Sequence, residues 1–244
     1  MVITLIANYN YGKYICDAID SALNQTLKNF IVIVDDCSTD KSQEIIINKL
    51  SLDLTQELEI FGQKVKLFKS DNALLICLEK NSGPSFARNV GIAATIRNAE
   101  YYQILDADDI MYPNKIERLI HEMNERVGVV YADYHIHNID TNITTEEYKE
   151  PFTLHRLMQE CIVHSGSLVN ANALKSICTQ NGYYNNDLRV AEDWDLWLRI
   201  SKKWQIKHVP EFLTLVKTHQ ENSTNSVSKE VWNNCWKTVC QNNI

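Results

Sequence analysis

Two apolar runs separated by a helical pattern constrain the fold of this chain more than any other feature. The first run is VITLIAN, residues 2–8, and the second is FIVIVDD, residues 30–36. The segment between them carries apolar residues at helical spacing: Ile15, Ala18, Ile19, Ala22 and Leu23. Strands without a polar face are typical of parallel sheets that helices cover on both sides. The sequence therefore predicts an α/β fold with a mostly parallel, Rossmann-like central sheet and helices on both faces.

The rest of the chain continues this alternation as one domain. A second helix is predicted over DKSQEIIINKL, and a third is predicted to begin near Pro84. Later strands are predicted over YYQIL, VGVVYADYHIHNID and IKHVPEFLTLV, and a later helix over VAEDWDLWLRISKKW. Residues 51–80 are less regular, although KVKLFKS and LLICLEK both read as strands and suggest an extra strand pair within 62–80. A polar segment, TNITTEEYKEP, indicates where the chain changes its role.

The composition of the chain excludes several classes of partner. Its net charge is −7, its pI is about 5.5 and it contains no basic run, so nucleic acid is not an expected partner. No stretch approaches the roughly 18 apolar residues of a membrane span, and the start MVITLIANYNYGKY does not resemble a signal peptide. The seven cysteines form no C-x-x-C pair and read as reduced thiols. We expect a cytoplasmic protein whose membrane contact is at most peripheral, at the inner face.

Three of the predicted strands end in polar side chains. Asn8-Tyr9-Asn10 follows the first strand, Asp35-Asp36 ends the second, and Asp106-Ala107-Asp108-Asp109 follows YYQIL. The carboxyl ends of parallel strands meet at one edge of an open sheet, which is where such sheets bind ligands. We therefore expect a binding site that these three strand ends build together.

The cluster of carboxylates after YYQIL indicates a bound cation. Like charges this close repel, and none can be buried cheaply without a positive partner. The alternative is that Asp109 caps the helix that Pro113 opens, but this leaves Asp106 unexplained. The sequence also lacks G-x-G-x-x-G and G-x-x-x-x-G-K-[ST] loops, so the loops alone do not cradle a diphosphate. Mg²⁺ or Mn²⁺ held by carboxylates and sharing phosphate oxygens would bind a nucleotide diphosphate instead.

Five blocks of the sequence resemble a known family. ANYNYGKYICDAIDSALNQT, VDDCSTD, NSGPSFARNVGI, LDADD and AEDWDLWLRI occur in this order. Together they resemble the family 2 glycosyltransferases, which have the GT-A fold, and the likeness runs from Val2 to about Ser223. The resemblance implies a metal-dependent, inverting transfer of a hexosyl or N-acetylhexosaminyl group from a nucleotide-sugar donor. It implies that residues 1–140 bind the donor, that 141–225 carry the acceptor side and the base, and that 226–244 form a tail helix.

The resemblance also implies roles for individual residues. The residues that contact the nucleotide belong to the first, second and fourth of these blocks, where the corresponding strands end: Ala7, Asn8, Tyr9, Asp36 and Asp106. The ligands of Mn²⁺ or Mg²⁺ are Asp108, with Asp109 adjacent, and His219 near the end of the likeness. The base is Asp193, and its neighbour Glu192 positions the acceptor or the base. Ala7 stands where the family often has Pro, and Cys37 where it often has Gly.

Several of these residues have a structural alternative. Arg88 either faces the base or phosphates of the nucleotide or forms a structural ion pair. Without the family resemblance, Glu192, Asp193 and Asp195 would simply favour the dipole of the helix that they begin. Trp194 either stacks on a sugar or belongs to the core, and His164 is a weaker candidate for the acceptor side.

The acceptor and two alternative functions stay open at this level. The acceptor is a glycan, a lipid-linked sugar or a protein. A sugar nucleotidylyltransferase also combines a parallel sheet with acidic metal ligands, but it needs a Gly-rich basic loop where this chain has ANYNYGKY. A non-catalytic nucleotide- or glycan-binding module is the other alternative, and the intact Asp193 argues against it.

Overall fold

A computed structural model describes residues 1–220, 222 and 227–243 of the chain. Within these residues the strands are β1 (Val2–Asn8), β2 (Phe30–Asp35), β3 (Asp53–Ile60), β4 (Gln63–Lys69), β5 (Ala73–Leu78), β6 (Tyr101–Asp106), β7 (Ile110–Met111), β8 (Val127–Asn138), β9 (Ile143–Glu147), β10 (Leu168–Asn170) and β11 (Gln205–Thr218). The helices are α1 (Ile15–Leu23), α2 (Ser42–Leu50), α3 (Pro84–Thr95), α4 (Lys115–Ile120), α5 (Leu154–Gln159), α6 (Ala171–Ile177), α7 (Glu192–Ser201) and α8 (Lys229–Asn243). The predicted boundary between residues 225 and 226, and Ser223, lie outside the described residues.

All the strands belong to one mixed sheet. Its order is β3-β4-β5-β2-β1-β6-β10-β8-β11-β7, and β9 pairs with β8. The pairs β5–β2, β2–β1, β1–β6 and β8–β11 are parallel. Strand β10 is antiparallel to both β6 and β8 and lies between them. The α/β prediction is confirmed, but the parallel core is limited to β5-β2-β1-β6 with β8–β11 beyond it, so the sheet is mixed rather than mostly parallel.

The strand pair expected within 62–80 is confirmed, because β4 and β5 are antiparallel neighbours. β5 also joins the parallel core through β2, and β4 pairs on its other side with a strand, β3, that the apolar pattern did not reveal. The reason lies in the sequence of β3, DLTQELEI, which is polar at most positions and almost wholly exposed. β3 is an edge strand in which only Leu58 and Ile60 pack against the core, so its sequence carries little apolar signal.

The apolar strands bury both of their faces, as their sequences predicted. Ile3 and Leu5 of β1 pack into a core that α3 and α7 cover, while Ile6 packs into a second core that α1, α2 and α4 cover. In β2, Val32 and Ile33 divide between the two cores in the same way. The side chains of successive strand residues point to opposite faces, which is why both faces need apolar residues.

The polar strand ends meet at one edge, as expected. Strand β1 lies between β2 and β6 and is parallel to both. In this register Ala7 is the partner of both Val34 and Asp106, and Asn8 is the partner of Asp35. The side chains that follow these three strands therefore surround one region at the carboxyl edge of the parallel core.

The helices of the described part of the chain include none that is long and apolar enough to cross a bilayer.

Helix α3 approaches the sheet closely at Gly91, and this contact makes a prediction about stability. A Cβ atom built on Gly91 would lie 2.5 Å from Leu5 Cδ1 and 3.0 Å from Val34 Cγ2, both in the core. Gly91→Ala should therefore destabilise the fold by about 1–3 kcal/mol through overpacking, although alanine favours helix by about 1 kcal/mol elsewhere. Urea denaturation measures the change, and Ala94→Ser on the exposed face of the same helix is the control. An unchanged or higher midpoint for Gly91→Ala would contradict the packing described.

Candidate functional site

A buried arginine joins the end of β6 to the start of α7. Arg88 Nη2 donates to Asp106 Oδ1 at 2.8 Å, and Arg88 Nη1 donates to Glu192 Oε1 at 2.6 Å. Asp106 Oδ2 accepts a further hydrogen bond from Ser165 Oγ at 3.0 Å. Burial raises the pKa of Asp106, yet the charges of Arg88 and the hydrogen bond from Ser165 outweigh it and hold that pKa below the ordinary value. The ion-pair alternative for Arg88 is thus present in the structure, and its nucleotide contact stays a prediction.

Asp193 lies directly after this ion pair, at the start of α7. Its Oδ1 accepts the backbone N–H of Trp194 at 2.8 Å. Burial, together with the neighbouring charge of Glu192, raises the pKa of Asp193 to about 7. A carboxylate with a pKa near the working pH can take a proton from a hydroxyl and is suited to general-base catalysis.

The other acidic residues of this helix start have structural partners. Glu192 is paired with Arg88, and Asp195, which is 2% exposed, accepts from Arg199 Nε at 2.7 Å. The apolar face of α7 packs inward as predicted, since Leu196, Trp197 and Ile200 are fully buried. The helix dipole favours a charged carboxylate and would lower the pKa of Asp193. It therefore does not explain why this pKa is raised.

Asp108 and His219 come together although they lie 111 residues apart in the sequence. His219 Nε2 lies 3.2 Å from Asp108 Oδ2, and Asn222 Nδ2 donates to the same oxygen at 2.8 Å. The ring of His219 stacks on that of Tyr14, with centroids 4.3 Å apart. Burial, and then the charge of Asp106, raises the pKa of Asp108 to about 6. A buried carboxylate beside an imidazole is a plausible chemical pair for a divalent cation, because carboxylate oxygen and imidazole nitrogen both bind Mn²⁺.

Asp109 faces away from this pair, toward β11 and α4. Its Oδ1 accepts the backbone N–H of Lys217 at 3.1 Å, and burial raises its pKa well above the ordinary value. The following helix has Asn114 as its N-cap, so Asp109 does not cap it. No three His, Cys, Asp or Glu side chains are placed to share a metal ion within residues 1–220, 222 and 227–243. Of the predicted ligands, the structure brings together Asp108 and His219 only.

A buried lysine lies close to Asp109 and Asp106 of the acidic loop, residues 106–109. Lys115 is 1% exposed, and its Nζ donates to Thr214 Oγ1 at 2.6 Å. Burial lowers the pKa of Lys115 to about 7, against the opposing charges of Asp109 and Asp106. This cation provides positive charge beneath the carboxylates. Nothing in the sequence pattern pointed to it, because a lysine in the first turn of a helix is ordinarily exposed.

The nucleotide candidates on β1 and β2 differ in how exposed they are. Asp36 accepts the backbone N–H groups of Ser82 and Gly83 at 2.8 and 2.7 Å, which ties the end of β2 to the loop before α3. Burial raises the pKa of Asp36 to about 6. Asn8 is buried and donates to Asp35 Oδ2 at 2.7 Å. Ala7 lies between the neighbouring strands, and Tyr9 is 42% exposed.

Sequence reasoning missed several residues of this site. They are the partners that the predicted residues use: Lys115, Ser165, Lys217 and Asn222, together with Asp35, which was expected at the sheet edge but given no role. Asp35 accepts from Asn8, Ser38 and Gln43 and organises the loop after β2. The doubled acid of VDD and the polar run HQEN were the available signals for Asp35 and Asn222.

A cavity of about 370 Å³ opens beside Asp193. Its lining includes Tyr134, Lys149, Gln159, Glu160, Cys161, His164, Ser165, Asp193, Trp194, Trp232 and Trp236. His164 lines the same cavity as the base candidate, and its place on the acceptor side stays a prediction. Trp194 is 4% exposed and its Nε1 donates to Leu157 O at 2.6 Å, so this ring belongs mainly to the core.

The sequence matches one known family over most of its length. A family model described as glycosyl transferase family 2 matches residues 4–181. The chain belongs to glycosyl transferase family 2. This finding confirms the resemblance that the five sequence blocks indicated.

Individual glycosyltransferases resemble the chain over part or most of its length. It is 28% identical over 243 residues to an uncharacterized glycosyltransferase of Rickettsia typhi, a match that covers 95% of this chain and 68% of that protein. It is 37% identical over 142 residues to an uncharacterized glycosyltransferase of Nostoc sp., which covers 58% of this chain and 38% of the relative.

Solved glycosyltransferase structures share the fold. S. aureus TarS 1–349 in complex with UDP-GlcNAc superposes with a TM-score of 0.67 at 20% identity, over 93% of this chain and 61% of that one. Glucosyl-3-phosphoglycerate synthase of Mycobacterium tuberculosis, in complex with Mn²⁺, UDP and glucosyl-3-phosphoglycerate, gives 0.63 at 14% identity, over 99% and 80% of the two chains. At these identities the likeness shows the fold alone, and it confirms the GT-A-like architecture.

The ion pairs of Arg88 make a prediction about stability. Arg88→Ala leaves two partly buried carboxylates without their buried cation, so it should destabilise the fold by about 3 kcal/mol. Arg97→Ala, at an exposed position just after the same helix, should change stability by less than about 0.5 kcal/mol. Urea denaturation at pH 7.5 compares the two. Equal midpoints for both variants would show that Arg88 does not hold β6 and α7 together.

Proposed function

We propose that this chain transfers a sugar from a nucleotide diphosphate sugar to an acceptor hydroxyl, by a single displacement that inverts the anomeric carbon. The observation that carries this proposal is the Arg88 bridge. It ties Asp106, the first carboxylate of the acidic loop, to Glu192, the residue before Asp193. A carboxylate with a pKa raised to about 7 is thereby placed next to the edge where the donor is expected to bind.

The donor class is proposed from family membership and from the ligands of similar structures. TarS was crystallised with UDP-GlcNAc, a mannosyltransferase of Pyrobaculum calidifontis with GDP-Man and Mn²⁺, and the mycobacterial synthase with UDP and Mn²⁺. These ligands belong to those proteins. For this chain they support a nucleotide diphosphate carrying a hexosyl or N-acetylhexosaminyl group.

Asp108 and His219 would hold the divalent metal, Mn²⁺ or Mg²⁺. Their facing atoms lie 3.2 Å apart and both side chains are buried, so a cation could replace the proton or hydrogen bond that now joins them. When bound, the metal supplies positive charge that stabilises the departing diphosphate. With two protein ligands, its other positions would be left for phosphate oxygens and water.

The chain's own residues would perform the remaining steps. Asp36 would hold the loop at Ser82 and Gly83 against the nucleotide base. Asp193 would take the proton of the acceptor hydroxyl on the side of the sugar opposite to the diphosphate, and inversion follows from that arrangement. Arg88 would keep Glu192 in its ion pair, and Asp193, whose pKa is raised, would act as the base. In this proposal residues 1–140 provide the donor side and 141–225 the acceptor side.

Replacing Asp193 tests the base. Asp193→Asn should reduce sugar transfer to water or acceptor by about 10²–10⁴-fold, because the amide cannot take a proton. Nucleotide release from UDP-GlcNAc, UDP-Glc and GDP-Man measures the rate, with Asp187→Asn at an exposed position as the control. Glu192→Gln should lose far less activity. If Glu192→Gln loses as much as Asp193→Asn, the assignment of the base is wrong.

The raised pKa of Asp193 predicts how the transfer rate and the stability depend on pH in the wild type and in Asp193→Asn. In the wild type, the rate should rise as the pH increases through about 7, because the base must lose its proton. The folded pKa lies above the unfolded value, so the stabilising contribution is present at low pH and disappears as the pH rises through about 7. Asp193→Asn should therefore unfold at a higher urea concentration than the wild type at pH 8, and at a similar one near pH 4. A wild-type advantage at pH 8 would contradict the buried, destabilised carboxylate.

Replacing Asp108 tests the metal. Isothermal titration of UDP and GDP, with and without Mn²⁺, should show affinity that the metal increases in the wild type. Asp108→Asn should lose that increase while keeping its fold, and Asp71→Asn in an exposed turn should retain it. Metal-enhanced binding of undiminished strength in Asp108→Asn would remove Asp108 from the metal site.

A further inference from the structure

The cavity beside Asp193 has a wall that the family match does not include. The match ends at residue 181. Trp232 and Trp236 on the C-terminal helix α8 lie beyond that point, as does Asp193, and the three residues line the cavity together. Helix α8 packs on α7, and the rings of Trp236 and Trp194 lie 6.5 Å apart, tilted by 39°. The ring of Trp236 therefore reaches the residue next to the base candidate.

Trp236 is exposed to an extent that packing alone does not explain. Its side chain is 50% exposed, whereas Trp194 and Trp197 are 4% and 0% exposed. A large aromatic ring left half in solvent at the mouth of a cavity is a typical ligand platform. The cavity volume, about 370 Å³, is at the lower end of the usual range for small-molecule sites of roughly 300–1,000 Å³.

The charges around the cavity argue against an anionic ligand. Asp193 contributes negative charge to the lining, whereas Glu160, which also lines it, is paired with Arg156 at 3.2 Å. The cation of the described lining, Lys149, lies 3.6 Å from Glu147 and 5.4 Å from the centre of the Tyr134 ring, so its charge is already opposed. A phosphate or carboxylate bound here would meet Asp193 without a matching cation. A neutral ligand with hydroxyl groups fits the remaining polar atoms.

We propose that Trp236, with Trp232, is the platform on which a neutral pyranose ring of the acceptor stacks, so that the acceptor is a glycan. The apolar C–H face of a pyranose would lie on the indole ring. Its hydroxyl groups would then point along the cavity toward Asp193, Gln159 and Ser165. Trp194, which the sequence offered as the stacking residue, is buried and supports Trp236 from below. This inference rests on the proposed function, because it uses Asp193 as the base.

Direct binding of simple glycosides tests this assignment without requiring turnover. Saturation-transfer NMR is recorded with methyl β-D-glucopyranoside, methyl β-D-galactopyranoside and methyl N-acetyl-β-D-glucosaminide. Glycerol 3-phosphate serves as an anionic polyol without a ring. The proteins are the wild type, Trp236→Ala, Trp236→Phe and Phe61→Ala. Phe61 is 46% exposed and lies in the turn between β3 and β4, so its removal is a matched loss of an exposed aromatic ring away from the cavity.

At least one pyranoside should bind the wild type through its ring C–H protons. Its Kd should rise about 2- to 10-fold in Trp236→Ala, rise less in Trp236→Phe, and stay unchanged in Phe61→Ala. If no pyranoside binds in a Trp236-dependent way, or if only glycerol 3-phosphate does, the assignment is overturned. Should Trp236→Ala fail to fold, Trp236→Phe and Phe61→Ala decide the question.

Titration of UDP and GDP on the same samples separates the two proposals. Nucleotide binding without Trp236-dependent pyranoside binding overturns the glycan platform and leaves the transferase proposal in place. Pyranoside binding without any nucleotide binding supports the platform and contradicts the transferase.

Discussion

The mutual repulsion of carboxylates gathered at one sheet edge governs how this molecule is built. Asp106, Asp108, Asp109 and Asp193 are all largely removed from water, and each charge there costs free energy unless a positive group opposes it. Arg88 opposes two of the acids of this region directly, and Lys115 lies beneath the acidic loop. Burial raises the pKa values of Asp108, Asp109 and Asp193, none of which is paired with Arg88 in the way that Asp106 and Glu192 are. Of these three acids, the proposed function gives the metal to Asp108 and the proton to Asp193.

Much of the fold could be predicted because its signals are local. VITLIAN and FIVIVDD are apolar at successive positions, and a strand of that kind must bury two faces, as β1 and β2 do. β3 escaped prediction because an exposed edge strand has no such requirement. The mixed character of the sheet also escaped it, because the three-residue strand β10 is too short to show a period.

The site was predictable in its residues more than in its contacts. Strand ends and acidic blocks lie within a few positions of one another in the sequence, so Asp106, Asp108 and Asp193 could be singled out. The groups that determine their behaviour are far away along the chain: Arg88 is 104 residues from Glu192, and Asn222 is 114 residues from Asp108. No local pattern specifies such a pair, since the three-dimensional arrangement creates it. The first turn of α7 illustrates this. The helix dipole favours its three acids alike, but the structure pairs Glu192 with Arg88 and Asp195 with Arg199 and leaves Asp193 beside a cavity.

The position of β10 has a consequence for how the protein is made. Strand β10 follows both β6 and β8 in the sequence, yet it lies between them in the sheet. Leu168 and Val169 pair with residues of both neighbours, and no other strand of the described residues joins those two. As the polypeptide emerges during translation, β8 has no place beside β6 until residues 168–170 have been synthesised. The segments before and after residue 140 are therefore interleaved in one sheet. A gene fragment that ends at residue 140 would encode β6 and β8 without the strand that pairs with both of them.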